Sequence, residues 1–174
     1  VRNRVLNTTL QVIGLNYVNG NIVQFEYNFL DSHYGAHYLT AFEIFKENKI
    51  LGSGPKTFRI VCSKDEYSNI DSFNIFQRCS THPHNYYFQI ISEVGLLGLS
   101  LFLLSFIFAI IFLYRELDLK NPLHNCSLIS LLIFLWPIQS TGSIFNNWYG
   151  SYPYYYIAIM LILIYNNRNK ELIS

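Results

Sequence analysis

Charge is what this sequence lacks most. Of its 174 residues only 13% are Asp, Glu, Lys or Arg, about half of the roughly 25% that soluble domains carry. A disordered chain is excluded by the apolar content, and a free-standing soluble domain is disfavoured. The charges also lack a dominant sign, with 12 Lys and Arg against 11 Asp and Glu and a net charge of +1. There is no basic excess to hold nucleic acid. Cysteine is scarce, at three residues. Around Cys62, Cys79, His82 and His84 neither C-x-x-C nor H-x-x-x-H spacing occurs, so no metal site is expected there. No P-loop pattern is present, and no nucleotide cofactor is expected. The opening VRNRV lacks a Met, an apolar core and a small-residue cleavage site, and so lacks the parts of a signal peptide. The expectation is therefore a C-terminal part of a larger polytopic membrane protein, whose earlier spans lie before Val1.

What the chain does have is apolar, at 51% hydrophobic and 17% aromatic, and it is segregated. Up to Ser92 the sequence is mixed and polar, and it holds eight of the twelve basic residues. From Val94 to Tyr114 run 21 uncharged residues, VGLLGLSLFLLSFIFAIIFLY, long enough for a helix of about 31 Å. A shorter run, Cys126 to Ile138, ends near Pro137 and spans only if its neighbours extend it. A third, Tyr154 to Tyr165, follows a Trp- and Tyr-rich stretch suited to a headgroup interface. The expected fold is an all-α integral membrane protein with helices at about 84–114, 123–142 and 149–165. Before them lies an outside segment, 1–83, and after them a tail, 166–174. Arg115 and Lys120 follow the first run and Arg168 and Lys170 the third, whereas QSTGSIFNNWYGSYP between the second and third has no Lys or Arg. Basic residues stay on the cytoplasmic side, so the polar first segment and the 139–153 loop both face outward.

Within the outside segment, NGNIVQFEYNFL reads as a turn followed by a strand or an interfacial stretch. Ser32 can cap a helix running through Asn48, on which Tyr34, Tyr38, Phe42 and Phe45 form one stripe and His33 and His37 share a face. That helix stops at LGSGP. There Gly52 and Gly54 permit positive φ, and Lys56 and Arg59 follow, so exposed turn amides with two cationic side chains could cradle an anion. Cys62 and Cys79 bracket a loop in a compartment that permits disulfides, and a bridge there would contribute about 3 kcal/mol. Pro83 suits a first helical turn with Thr81 or His82 as cap, which places His84 and Asn85 at the positive end of a helix dipole. A neutral imidazole there could take a proton from a hydroxyl nucleophile. Glu93 should face protein or the outer polar region, and Gly95 and Gly98 would let a neighbouring helix approach closely.

His84-Asn85, nine residues, then Gly95-Leu96-Leu97-Gly98 resembles the His-Asn, nine residues, Gly-x-x-Gly motif of the O-antigen ligase and O-antigen polymerase superfamily. The stretch AFEIFKENKILGSGPKTFR, Ala41 to Arg59, is similar to that superfamily's helix and Gly-x-Gly turn. The resemblance covers about 32–165. Leu99 and Ser100 stand where ligases usually have a Thr pair, and DSHYGAHY holds no Arg where the family often has one. The resemblance implies a GT-C-like fold and metal-independent glycosyl transfer at the periplasmic face of the bacterial inner membrane. The donor it implies is a glycan on undecaprenyl diphosphate, and the acceptor is a sugar hydroxyl of lipid A core or, for a polymerase, of another lipid-linked repeat. His84 would be the base and Arg59 would stabilise the departing diphosphate. Lys56, Asn85, His82, His37 and His33 would contact substrate, and upstream helices of the same protein would complete the groove. A competing reading is a non-catalytic envelope module anchored by its spans.

Overall fold

The computed structural model describes residues 15–18, 21–24, 30, 32–70, 75–118, 120–137 and 139–173; for His33, most of the hairpin below and residues 167–173 it describes only the backbone. The fold is helical with one addition to the all-α expectation. Leu15–Val18 (β1) and Asn21–Gln24 (β2) pair antiparallel as a two-stranded hairpin, of which β2 falls within the stretch expected to hold a strand and β1 precedes it.

Helix α1, His33–Glu47, begins where the Ser32 hydroxyl accepts the Gly35 amide at 3.0 Å and ends at Asn48. One face buries Ala41 and Ile44 against Phe58, Cys62 and Tyr67. The Tyr67 hydroxyl donates to Glu47 at 2.6 Å and clips the following loop to the helix. Burial, reinforced by that carboxylate, raises the Tyr67 pKa, so the donor stays protonated. The four-residue helix α2, Phe58–Val61, carries Arg59. Cys62 and Cys79 are joined by a disulfide with their Cα atoms 5.3 Å apart, and Arg78 Nε donates to the Cys62 carbonyl at 2.9 Å.

Helix α3, Tyr86–Glu116, is not continuous, because Gly95 breaks it with φ 69 and ψ −167. A helix with a break exposes carbonyls and amides, and the 49–54 turn fills them. Ser53 and Gly54 donate to the Ser92 and Glu93 carbonyls, while Leu96 and Leu97 donate to those of Lys49 and Ile50. Gly95 therefore does not serve a neighbouring helix, as the sequence suggested; a Cβ on it would lie 2.3 Å from the Ile50 carbonyl oxygen. At Gly98 a Cβ would meet the Val94 side chain at 2.5 Å, and the residue borders a crevice with the 144–154 segment. The expected start near His84 also moves. Asn85 is the cap, its Oδ1 accepting the Tyr87 and Phe88 amides, and His84 precedes it with φ 59, outside the helical region.

After Gly95 the helix is 21 apolar-rich residues to Glu116, about 31 Å. Among the described residues α3 is the one helix long and apolar enough to cross a membrane, and only 11% of its most apolar window is buried. Helix α4, Pro122–Phe134, starts with Asn121 as cap and Pro at the first position. It ends eight residues short of the expected 142, because the carbonyls at its end take other donors. Tyr86 and Tyr87 hydroxyls donate to Phe134 and Leu135, and Gln139 donates to Phe134. At about 20 Å it does not cross a bilayer as a helix. Helix α5, Asn147–Ile173, contains Pro153 and continues through the stretch expected to be a tail. Phe106, Leu113, Leu131, Met160 and Ile164 join α3, α4 and α5 in one core.

Candidate functional site

The site lies at the N-terminal head of α3, where four chain segments meet. The 135–146 connection between α4 and α5 folds back over that head as a strap. Thr141 N donates to the His84 carbonyl at 2.7 Å, and Asn85 Nδ2 donates to the Pro137 and Gln139 carbonyls at 2.8 and 3.3 Å. The strap thus sits at the same end of α3 as the 32–84 segment, as the charge pattern of its loop led one to expect.

Three of the proposed histidines cluster, His37 stacked on His84 and His82 tilted against it. The His84 ring lies 4.4 Å from His82 and 5.3 Å from His37, with Tyr34 edge-on at 5.5 Å. His84 Nε2 shares a hydrogen bond with Ser80 Oγ at 3.1 Å. Because a carbonyl only accepts, the 3.1 Å contact of His82 Nε2 with the Thr141 carbonyl puts a proton on that nitrogen. Neutral His82 then accepts from Thr81 through Nδ1, at 2.9 Å. His82 is thereby oriented as a donor, and the strap decides its tautomer. His37 is 95% buried and supports the His84 ring from behind. The His33 side chain lies outside the described residues.

The cationic residues come to the same place. Lys56, Arg59, Thr81, His82, Ser143 and Asn146 line a cleft of about 200 Å³, so His82 belongs both to this cleft and to the histidine cluster. Lys56 has φ 61, a strained conformation that the surrounding turn must enforce. The amide cradle expected from LGSGP is absent, because its donors are spent inside the protein. Gly52 N binds Asn48, Ser53 N and Gly54 N bind the broken helix, and Thr57 N binds Gly54. Lys56 N and Phe58 N donate to the Glu93 carboxylate at 3.0 and 2.8 Å. An anion in this cleft would be held by side chains, chiefly the exposed Lys56 and Arg59.

Asn85 is 97% buried, and both ends of its amide are committed, to the helix cap and to the strap, where it also lines a groove. Beside it, Tyr34, Tyr38, Phe42, Phe88 and Pro137 contribute to the same apolar groove, of about 680 Å³. Burial, with Tyr34 nearby, raises the Tyr38 pKa, so its phenol remains neutral. Cys62 and Cys79 are bonded to each other and hold the loop that leads into Ser80.

Ser80, Thr81, Ser143 and Asn146 are members of the site that sequence reasoning did not name. The strap residues sat in a stretch too polar for a span and free of Lys and Arg, which was the one signal available.

No curated protein and no solved structure matches the chain. The O-antigen ligase family matches residues 6–103, more than half of its length, including the 33–61 helices, the disulfide loop, the histidines and the Gly95 break. The chain belongs to the O-antigen ligase family.

Proposed function

We propose that the chain is part of a multi-pass glycosyltransferase of the bacterial inner membrane, with its head on the periplasmic side. It moves a glycan from undecaprenyl diphosphate to a sugar hydroxyl of lipid A core in lipopolysaccharide assembly. The observation that carries this reading is the sharing of His82 between the Lys56–Arg59 cleft and the His84 cluster, at the head of an exposed apolar helix. A glycosyl diphosphate needs cations for its leaving group and a base for its acceptor, and these lie side by side. His84 accepts the proton of the acceptor hydroxyl as its oxygen bonds to the anomeric carbon. The bond from that carbon to the diphosphate breaks, and the lipid diphosphate departs with the electron pair, its charge held by Arg59 and Lys56. His82, held through both ring nitrogens by Thr141 and Thr81, lines the cleft in a fixed orientation.

A crevice of about 590 Å³ between α3 and α5, with Ile90, Val94 and Phe102 in its lining, also includes Asn146 of the cleft. Its position suits an isoprenoid chain whose diphosphate occupies the cleft. The groove beside Tyr34 suits the acceptor side, and α4 and α5 pack with α3 as the membrane part that upstream helices of the same protein complete.

The test is the lipopolysaccharide profile of cells whose full-length protein is deleted. A ligase leaves lipid A core without polysaccharide, whereas a polymerase leaves core capped by a single repeat. A full ladder would refute both.

A further inference from the structure

One face of α3 ahead of the Gly95 break carries Asn85, Gln89 and Glu93, four residues apart and each at least 97% buried. Polar side chains this deeply buried must be paired, and here Asn85 and Gln89 pair with the strap while Glu93 pairs with the 56–58 turn. Asn85 holds the strap at Pro137 and Gln139. Gln89 Oε1 accepts the Ile144 amide at 3.1 Å, and its Nε2 donates to Ser143 Oγ at 2.9 Å and to Glu93 at 3.1 Å. Glu93 in turn accepts the amides of Lys56 and Phe58. The two walls of the basic cleft, Lys56 and Arg59 on one side and Ser143 and Asn146 on the other, are therefore tied to adjacent rungs of one helix face. The Gln89–Glu93 contact joins those rungs.

We infer that Gln89 and Glu93 are positioning residues that set the anion-holding Lys56–Arg59 wall against the histidine and strap wall, an inference that rests on the proposed diphosphate chemistry of the cleft. Neither touches substrate. Glu93 holds the backbone on both sides of Lys56 and so imposes the left-handed turn there, while Gln89 passes the same register to the strap that fixes His82.

The experiment uses the purified full-length protein and measures its affinity for inorganic diphosphate together with donor and acceptor KM. Glu93→Gln keeps the size of the side chain but turns a donor toward the Lys56 or Phe58 amide. It is expected to weaken diphosphate binding and raise donor KM at least tenfold, with acceptor KM within twofold of the parent. In a Lys56→Ala/Arg59→Ala background the same change should add less than twofold, since its effect passes through those side chains. Glu93→Asp keeps a carboxylate that accepts both amides and should lose markedly less than Glu93→Gln. An unchanged thermal unfolding midpoint in Glu93→Gln separates positioning from a folding defect. Parent-like affinity in Glu93→Gln, or losses that multiply fully in the Lys56→Ala/Arg59→Ala background, would overturn the inference while leaving transfer by the parent protein intact. A parent protein that neither transfers glycan nor binds diphosphate would overturn the functional reading and this inference with it.

Discussion

The two parts of α3 on either side of Gly95 place opposite kinds of residue inside. Ahead of the break the helix buries Asn85, Gln89, Ser92 and Glu93, each hydrogen-bonded to the 53–58 turn, the strap or its own helix. Beyond it Leu97, Leu101, Leu104, Ile107, Phe108 and Phe112 are exposed. In water the second arrangement would be costly, at about 25 cal/mol per Å² of apolar surface left uncovered. In lipid it costs nothing. The contrast assigns each part its surroundings: a polar head whose groups must satisfy one another because four segments converge there, and a rod whose surface suits hydrocarbon.

Substitutions can break that contrast. The largest effect is expected at Phe108, which is 74% exposed in the middle of the rod. Phe108→Lys on a water-facing surface would be nearly silent, but in a span a central Lys costs about 3 kcal/mol on insertion scales. In a reporter carrying the 96–116 segment as its single span, alkaline extraction should release a large share of the Phe108→Lys form, and retention equal to the parent segment would return the rod to an ordinary protein surface. Next comes Gly95→Ala, which places a side chain at φ 69 against the Ile50 carbonyl. Strain of about 1–3 kcal/mol falls on the junction itself, so the head should become protease-sensitive at the 49–54 turn while the protein stays membrane-bound. Uniform destabilisation of head and rod would show that the break does not separate them. The smallest effect is expected at the rim of the head, where the exposed Lys64–Glu66 pair is 3.1 Å apart. Such pairs contribute about 0–1 kcal/mol, and Lys64→Ala should leave thermal unfolding in detergent almost unchanged. A loss as large as that from Gly95→Ala would mean that surface charge, rather than the buried ladder, holds the head.

Much of the rod was legible in the sequence because one run of 21 residues without charge suffices to specify it. Ser32 and Asn48 marked the ends of α1 for a similarly local reason, a cap being a short-range bond, and the cysteine spacing allowed the bridge that formed. The head was legible in composition but not in arrangement. Nothing local distinguishes a Gly95 that admits a neighbouring helix from one that admits a turn 40 residues earlier in the chain. That outcome depends on the four backbone bonds between 49–54 and 92–97. The same holds for LGSGP, whose amides looked available until Glu93 and the broken helix took them. His84 was placed inside the helix because Pro83 suits a first turn. Asn85, a stronger cap that also binds the strap, moved the start by two residues. The strap was missed because its contribution is mostly backbone, with Thr141 acting on His82 and His84 through its carbonyl and amide.

One substitution tests whether the histidine beside the basic cleft performs the proton transfer of glycan transfer. In cells carrying the full-length protein at its normal level, His84→Ala should reduce surface polysaccharide at least about 100-fold, the usual contribution of a positioned general base. Membrane insertion and protein amount should not change, because His84 lies ahead of the α3 cap and spends only its backbone carbonyl on the strap. Polysaccharide display at the parental level with His84→Ala would show that His84 is not the base.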